Sequence, residues 1–209
     1  GSLQTNGGSG KCVYEPGGSG GGGGRVALYY REASGFDLNR ITAYGGDSPC
    51  NKPGEIIGNG GAGTVYLKGE NEEARLILHN RGLKAGNISA FPVIVPAQIT
   101  ALEARVLAFQ GESYMPGSLV GMELIPDLEK SEAALPILAN GKNTITVATG
   151  DLTQMTEVGK SFTGRFFLDG HLIIRNTTIR LDREILVKNL SLLESSLLEH
   201  SGSTTTTTS

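Results

Sequence analysis

The chain has 209 residues and a formal net charge of −3, which gives no electrostatic basis for a nucleic-acid-binding protein. Aromatic residues make up 6% of the sequence and Trp is absent, so a platform for stacking bases is not expected. No apolar run reaches the roughly 18 residues that a membrane-spanning helix needs. Glycine accounts for 31 residues, and 19 of them fall within the first 63 positions, so the enrichment is local.

The glycine-rich third of the chain contains a repeat. Residues 3–8 resemble residues 41–46, which lie 38 positions later, and a Cys, a Pro-Gly pair and a glycine run follow in both copies. Each copy ends in an alternating strand, at 25–30 and at 64–68. Two short strands joined by a glycine-rich loop are typical of a β-solenoid, whose coils stack about 4.8 Å apart. We expect glycine at these corners and loops because it accepts positive φ without penalty.

The two cysteines, Cys12 and Cys50, occupy equivalent positions in the two copies. Equivalent positions in adjacent coils lie one strand spacing apart, within the Cα separation that a disulfide tolerates. The register therefore predicts a structural disulfide between Cys12 and Cys50, which would place the chain in an oxidising compartment. The alternative is a pair of free thiols in a reducing compartment.

The rest of the chain is predicted to be β structure, because helix signals are nearly absent. A hairpin is expected at Asn140-Gly141. The predicted strands before residue 170 are 74–78, 102–109, 118–124, 144–148 and 162–168. After residue 170, very short apolar strands are separated by Asn, Asp and Thr, which fits coils of a parallel β-helix. A leucine-rich helix is the alternative for residues 190–198.

The domain organisation that follows has four parts. They are glycine-rich solenoid coils at 1–69, further β coils at 70–114, a small β module or insertion at 115–169, and β-helix coils with a polar Thr-rich end at 170–209. The polar run at the end and the loop-like beginning indicate a piece of a longer polypeptide.

Several ordered segments resemble the glycine-rich, parallel β-helix repeats of very large secreted bacterial surface proteins of the adhesin type. The segments are residues 21–30, 36–38, 41–46, 60–68, 135–162 and 170–203. The resemblance covers most of the chain and is weakest from 69 to 114. It implies an all-β fold, namely a right-handed parallel β-helix or β-solenoid with glycine-rich loops and a small inserted β module. It transfers no catalytic residue and no cofactor.

The same resemblance implies a non-catalytic structural or adhesive segment at the cell surface, assembled into fibres or stalks. Its expected partners are neighbouring repeats of the same polypeptide or a homo-oligomer, together with a cell-surface or polysaccharide ligand. Neither nucleic acid nor a membrane span is expected. A calcium ion near Asp37 or Asp47 is conceivable in an extracellular repeat, but isolated aspartates do not define such a site, and no cofactor is predicted.

One cluster suggests an alternative from another functional class. Asp169, His171, Arg175 and Asp182 could project from one face of stacked coils, and paired carboxylates with basic residues carry out acid–base chemistry on polysaccharides. The alternative function is thus a β-helix protein that binds or cleaves polysaccharide. The simpler interpretation of these residues is a solvated outer face with alternating charges.

Overall fold

A computed structural model describes residues 1–11, 18–49, 58–83, 89–91, 93–130, 132–181 and 185–200. This part of the chain is all-β, as predicted, with two short 3₁₀ turns at Leu38–Arg40 and Leu152–Gln154. The strands are β1 Leu3–Gln4, β2 Arg25–Tyr30, β3 Ile41–Thr42, β4 Thr64–Gly69, β5 Ala74–His79, β6 Ser89–Ala90, β7 Ile94–Leu102, β8 Val106–Gln110, β9 Glu123–Ile125, β10 Leu135–Asn140, β11 Thr144–Val147, β12 Ser161–Arg175, β13 Thr178–Leu181, β14 Ile185–Leu193 and β15 Leu197–His200. Within the described ranges, no helix is long and apolar enough to span a membrane.

The chain divides into two compact units. The first comprises residues 1–90, 168–182 and 187–209, and the second comprises 91–167 and 183–186. Strand β12 contributes its beginning to the second unit and its end to the first. The division places β7 and β8 in the second unit, whereas the sequence analysis assigned residues 70–114 to coils preceding the module.

The second unit is an antiparallel sheet whose pairings close into a ring. The neighbours around the ring are β12, β7, β8, β11, β10 and β9, and β9 pairs again with β12. The interior is filled by apolar side chains including Ile94, Leu107, Leu124, Ile145 and Phe162, each fully buried. Burial of this cluster supplies the main driving force for folding of the unit.

Within this unit the predicted hairpin at Asn140 is confirmed, since β10 and β11 pair antiparallel and the Gly141 amide donates to the Thr144 carbonyl at 3.0 Å. The predicted strand 102–109 is wrong in one respect: a turn separates β7 from β8, closed by the Glu103 amide donating to Val106. The predicted strand 118–124 is also partly wrong, because only its end belongs to β9, at Glu123–Ile125. The residues before β9 form turns, where the Asn140 side chain accepts a hydrogen bond from the Leu119 amide at 2.9 Å.

In the first unit, the two copies of the sequence repeat lie side by side in parallel. Strand β1 pairs with β3 so that Leu3 lies opposite Ile41, and β2 pairs with β4 so that Arg25 lies opposite Thr64. The repeat register predicted from the sequence is therefore confirmed. The apolar face of these strands packs into one cluster with Val26, Ile41, Ala43, Val65 and Leu67 at its centre.

Between these strands the repeats form what we call the glycine bundle. Its first layer consists of residues 5–11 and 18–24, and its second layer consists of residues 42–48 and 58–64. Hydrogen bonds between layers run from the amides of Gly7, Gly10, Gly20 and Gly23 to the carbonyls of Tyr44, Asp47, Gly58 and Gly61, and from the Gly46 amide to Gly21, at 2.6–3.0 Å. The donors recur every third residue, which is the period of a polyproline II helix.

Glycine is needed in this bundle for a reason other than the one expected. Among the described glycines of the bundle, only Gly58 has a left-handed φ, at 104°. Close approach of backbones explains the others: a Cβ on Gly46 would overlap the Gly8 carbonyl, and a Cβ on Gly60 would overlap that of Gly21. The expectation that positive φ selects glycine here is therefore wrong. The bundle resembles collagen in its physics, because only glycine fits where extended chains touch.

The remaining strands of the first unit are mostly parallel. Residues 170–175 of β12 pair in parallel with β5, β13 pairs in parallel with both β6 and β15, and β14 pairs with β12. Strands β4 and β5 are antiparallel, so the sheet is mixed. The helix considered for residues 190–198 is wrong, since residues 190–193 end β14, residues 197–198 begin β15, and a bend joins the two strands. Cys12 and Cys50, predicted to form a disulfide, lie outside the described residues.

Candidate ligand-binding cleft

The structure describes three of the four residues of the acid–base cluster that the sequence suggested. Asp169, His171 and Arg175 lie on the same face of β12, because side chains at even spacing along a strand point to the same side. The His171 Nε2 atom lies 2.8 Å from the Ser191 hydroxyl, and the Arg175 Nε atom forms an ion pair with Glu194 at 3.3 Å. Asp182 lies outside the described residues. Each described basic member of the cluster thus has a local partner.

The aspartates considered for calcium have ordinary structural surroundings. Asp37 caps the first 3₁₀ turn, where its Oδ1 atom accepts hydrogen bonds from the Asn39 amide and side chain, both at 3.0 Å. Asp47 is exposed, and its backbone amide donates to the Ser9 hydroxyl at 3.4 Å. No group of three or more His, Cys, Asp or Glu side chains that could hold a metal ion occurs among the residues that the structure describes.

A cleft of about 220 Å³ lies in the first unit, between residues 38–44 and one face of β5, β12 and β14. Its base is apolar and includes Ile77 and Ile173. Its polar lining consists of Asn39, Thr42, Tyr44, Arg75, His79 and Arg175. No carboxylate belongs to this described lining, which combines two guanidinium groups with four side chains that can both donate and accept hydrogen bonds.

Strand pairing explains how the basic side chains reach one face. In the parallel pairing of β5 with β12, His79 lies opposite Arg175 and Arg75 lies opposite His171. Side chains at even spacing along a strand point to the same side, so Arg75, Ile77 and His79 share a face. A long inserted segment separates the two strands in sequence, and only their pairing brings Arg175 beside His79.

The aromatic and basic groups at one end of the cleft contact one another. The Tyr44 and His79 rings meet edge to face at 4.9 Å, and the Arg81 guanidinium lies 4.8 Å from the Tyr44 ring centre. Burial lowers the pKa of His79, and the charges of Arg175 and Arg81 lower it further, while Glu194 acts in the opposite direction. The imidazole is therefore biased towards its neutral form.

Two further features bear on what the cleft can bind. The Thr42 hydroxyl is buried and has no hydrogen-bond partner among the described residues, so it is available to a ligand that reaches it. Arg75 is held at the other end, where its Nη2 atom donates to the Tyr30 hydroxyl at 3.2 Å. Guanidinium and hydroxyl donors above an apolar base suit an anionic ring, such as a sugar that carries a carboxylate.

The sequence analysis found one member of this cleft, Arg175, and missed Tyr44, His79 and Arg75. The missed residues show no spacing that marks a site, because they belong to separate strands. A signal was present at Tyr44, which is the one aromatic residue in the repeat segment 41–46 and has Asn6 as its counterpart in the first copy. The carboxylates of Glu73 and Asp169 both act on Lys188 and raise its pKa, and the Lys188 Nζ atom lies 2.8 Å from Glu73 Oε1.

Comparison with known proteins adds no relative to this description. No protein-family description, no curated protein and no solved structure matches the chain.

Proposed function

We propose that the chain is a non-catalytic structural segment of a large exported bacterial surface protein. In this proposal the first unit is a portion of a right-handed parallel β-solenoid that acts as a stalk or fibre, and the second unit is an insertion in it. The observation that carries the proposal is the in-register stacking of the two repeats, from β1–β3 through the glycine bundle to β2–β4.

The stacking supports a structural role because it depends on backbone groups more than on side chains. Interlayer hydrogen bonds at every third residue hold the layers at a fixed separation, and glycine permits backbone-to-backbone contact. Such an interface can be repeated along an axis without a change of sequence. The parallel pairs β5–β12 and β13–β15 extend the same principle through the rest of the unit.

The cellular part of the proposal comes from the resemblance to bacterial surface proteins and needs a direct test. Intact cells that produce the protein would be treated briefly with protease, and the released peptides identified by mass spectrometry. Peptides from this chain should be released without lysis, while an abundant cytosolic protein of the same cells serves as the control. Release only after lysis would contradict export.

Polysaccharide binding is a second candidate, and the donor-rich cleft favours it. An acidic polysaccharide would place a carboxylate between Arg175 and the Thr42 hydroxyl, over the apolar base. The test is binding of polygalacturonate and of neutral dextran to the wild type and to Arg175→Gln. We expect about tenfold weaker binding of the acidic polymer by the variant, a change of about 1.4 kcal/mol.

Arg180→Gln is the matched control, because Arg180 lies exposed on β13 and does not line the cleft. Equal losses in both variants would show only general charge attraction. The same panel tests cleavage: product that accumulates with wild type and is lost in Asp182→Ala would support an enzyme. Binding without product would support a binding module.

A further inference from the structure

The outer side of the first layer of the glycine bundle repeats the chemistry of an interface that is already formed. In the second layer, the carbonyls of Tyr44, Asp47, Gly58 and Gly61 point at the first layer and accept hydrogen bonds from it, and the Gly46 amide donates to it. These five groups define the surface by which one layer recognises the next. Each has an equivalent in the first layer, which lies 38 residues earlier for Tyr44, Gly46 and Asp47 and 39 residues earlier for Gly58 and Gly61, as the pairing of Arg25 with Thr64 requires.

The equivalent groups in the first layer have nothing to bond to within the described chain. They are the carbonyls of Asn6, Ser9, Ser19 and Gly22 and the amide of Gly8, and none has a hydrogen-bond partner among the described residues. Because the repeat places each layer in the same orientation, these groups point away from the second layer. The first layer therefore presents the acceptors and the donor that a preceding layer would need.

Steric features of this outer side agree with the hydrogen-bonding pattern. In the second layer, Gly46 and Gly60 allow the first layer to approach, since a Cβ on either would overlap its backbone. Gly8, the equivalent of Gly46, has no atom within 4 Å of an added Cβ, and Gly21, the equivalent of Gly60, has only ordinary contacts of 3.5 Å or longer, all to its own layer. Neither glycine has a left-handed φ. Nothing within the described chain therefore requires glycine at positions 8 and 21, whereas a docked layer would.

The strands that flank the bundle are open on the same side. Among the described residues, β1 pairs only with β3 and β2 pairs only with β4. An unpaired strand edge presents a row of free amides and carbonyls that a further strand can complete. The open surface thus includes both strand edges as well as the bundle between them.

We propose that this face binds a further glycine-rich coil of the same 38-residue repeat. The coil would donate from amides equivalent to those of Gly7, Gly10, Gly20 and Gly23, and its last strand would pair in parallel with β2. The occupant is identified by continuity with the observed interface between the layers, which it would reproduce bond for bond. The proposal rests on the structural role proposed above, since it specifies how that structure is extended.

The test uses the complete chain extended by one repeat. A second copy of residues 1–38 is placed directly before Gly1, which preserves the repeat register. Amide hydrogen exchange is then compared in the extended and original proteins. We expect exchange at the Gly8 amide to slow by about tenfold or more, and the thermal unfolding midpoint to rise, because an added coil buries one more interface.

The controls are alanine substitutions at the two open glycines. Gly8→Ala combined with Gly21→Ala should leave the original chain folded with its unfolding midpoint unchanged or slightly raised, because neither site has a contact shorter than 3.5 Å. In the extended chain, the same pair should remove the slowing at residue 8, because each methyl group would overlap the added coil. Slowing that persists in spite of the alanines would overturn the proposal, as would unchanged exchange on extension.

Two further outcomes are distinguishable. Protection of Gly8 in the original chain that increases with protein concentration would overturn the proposal by assigning the face to a second copy of the chain. Protection on extension in a protein that is never found at the cell surface would leave the docking face in place and remove the proposed cellular role. The two proposals therefore fail independently.

Discussion

The side-chain oxygen of Asn80 accepts a hydrogen bond from the backbone amide of Gly45 at 2.7 Å. In the first layer of the glycine bundle, the equivalent amide of Gly7 donates to a backbone carbonyl of the second layer, so the Asn80 side chain takes the place of such a carbonyl. The Asn80 amide group also donates to the carbonyls of Gly60 and Leu83, at 3.1 and 2.9 Å. Asn80 is fully buried, and Gly45 and Gly60 are buried beside it. The carboxamide thus ends the stacking on this side by mimicking the backbone of a further layer.

Asn80→Ala should destabilise the first unit strongly. The substitution leaves a buried amide and buried carbonyls without partners, and we expect a loss of about 3 kcal/mol in the free energy of unfolding. The measurement is urea denaturation followed by circular dichroism. Asn6→Ala is the control: Asn6 accepts from the Tyr44 amide at 2.8 Å at an exposed site, where water can replace it. Equal losses would contradict the role given to burial.

The glycines of the two layers should differ in their tolerance of a methyl group. Gly46→Ala would force a Cβ into the Gly8 backbone, and we expect a loss of about 3 kcal/mol because main chain cannot move aside as a side chain can. Gly8→Ala, its repeat equivalent, should be neutral or stabilising by up to about 1 kcal/mol, since the site is open and the unfolded chain loses entropy. Thermal unfolding of the two variants measures the difference, and similar midpoints would contradict the close approach of the layers.

Stability should fall as the pH decreases through the titration of His79. Burial and the charges of Arg175 and Arg81 lower its pKa in the folded protein, so the unfolded chain takes up the proton first. The stabilising contribution is complete above the ordinary histidine pKa of about 6.5 and is lost progressively below it. Urea midpoints at pH 7.5, 6.5 and 5.5 should decrease for wild type.

His79→Gln should flatten that decrease, because glutamine carries no titrating group. His171→Gln serves as the comparison, since it removes a histidine from the same sheet while leaving His79 in place, and the decrease should persist. If both variants behave alike, the pH dependence originates elsewhere.

In the second unit, the ion pair between Arg165 and Glu123 should contribute more than a surface pair does. The two residues lie opposite each other in β12 and β9, with Nε and Oε2 2.8 Å apart and side chains 21% and 13% exposed. Glu123→Gln leaves the guanidinium without its partner charge, and we expect a loss of about 3 kcal/mol. Denaturant midpoints would measure it.

The control is Glu129→Gln, which breaks the exposed ion pair with Lys160, whose Nζ and Oε2 atoms are 3.0 Å apart. Water screens that pair, so little change is expected. A double variant, Glu123→Leu with Arg165→Met, should recover much of the stability that Glu123→Gln loses, because it removes both charges together. No recovery would indicate that packing around these side chains, and not the charge, determines the loss.

Local sequence pattern determined the repeat and its register. The offset of residues 3–8 from 41–46 predicted which residues lie opposite each other in β1 and β3, because equivalent segments stack most closely when their glycines and strands coincide. Alternation and turn chemistry likewise predicted β5, β11 and the hairpin at Asn140. These features depend on neighbours in sequence or on an internal copy.

The tertiary structure decided the features that join distant segments. It placed β7 and β8 in the ring with β9–β12, and it set Arg175 beside His79 across a long insertion. It also explained why glycine is needed in the bundle: a side chain would overlap the backbone of the neighbouring layer. Which backbones meet in this way cannot be read from the φ angles. Periodicity specifies which face of a strand is buried, whereas the identity of the strand that covers it depends on the path of the whole chain.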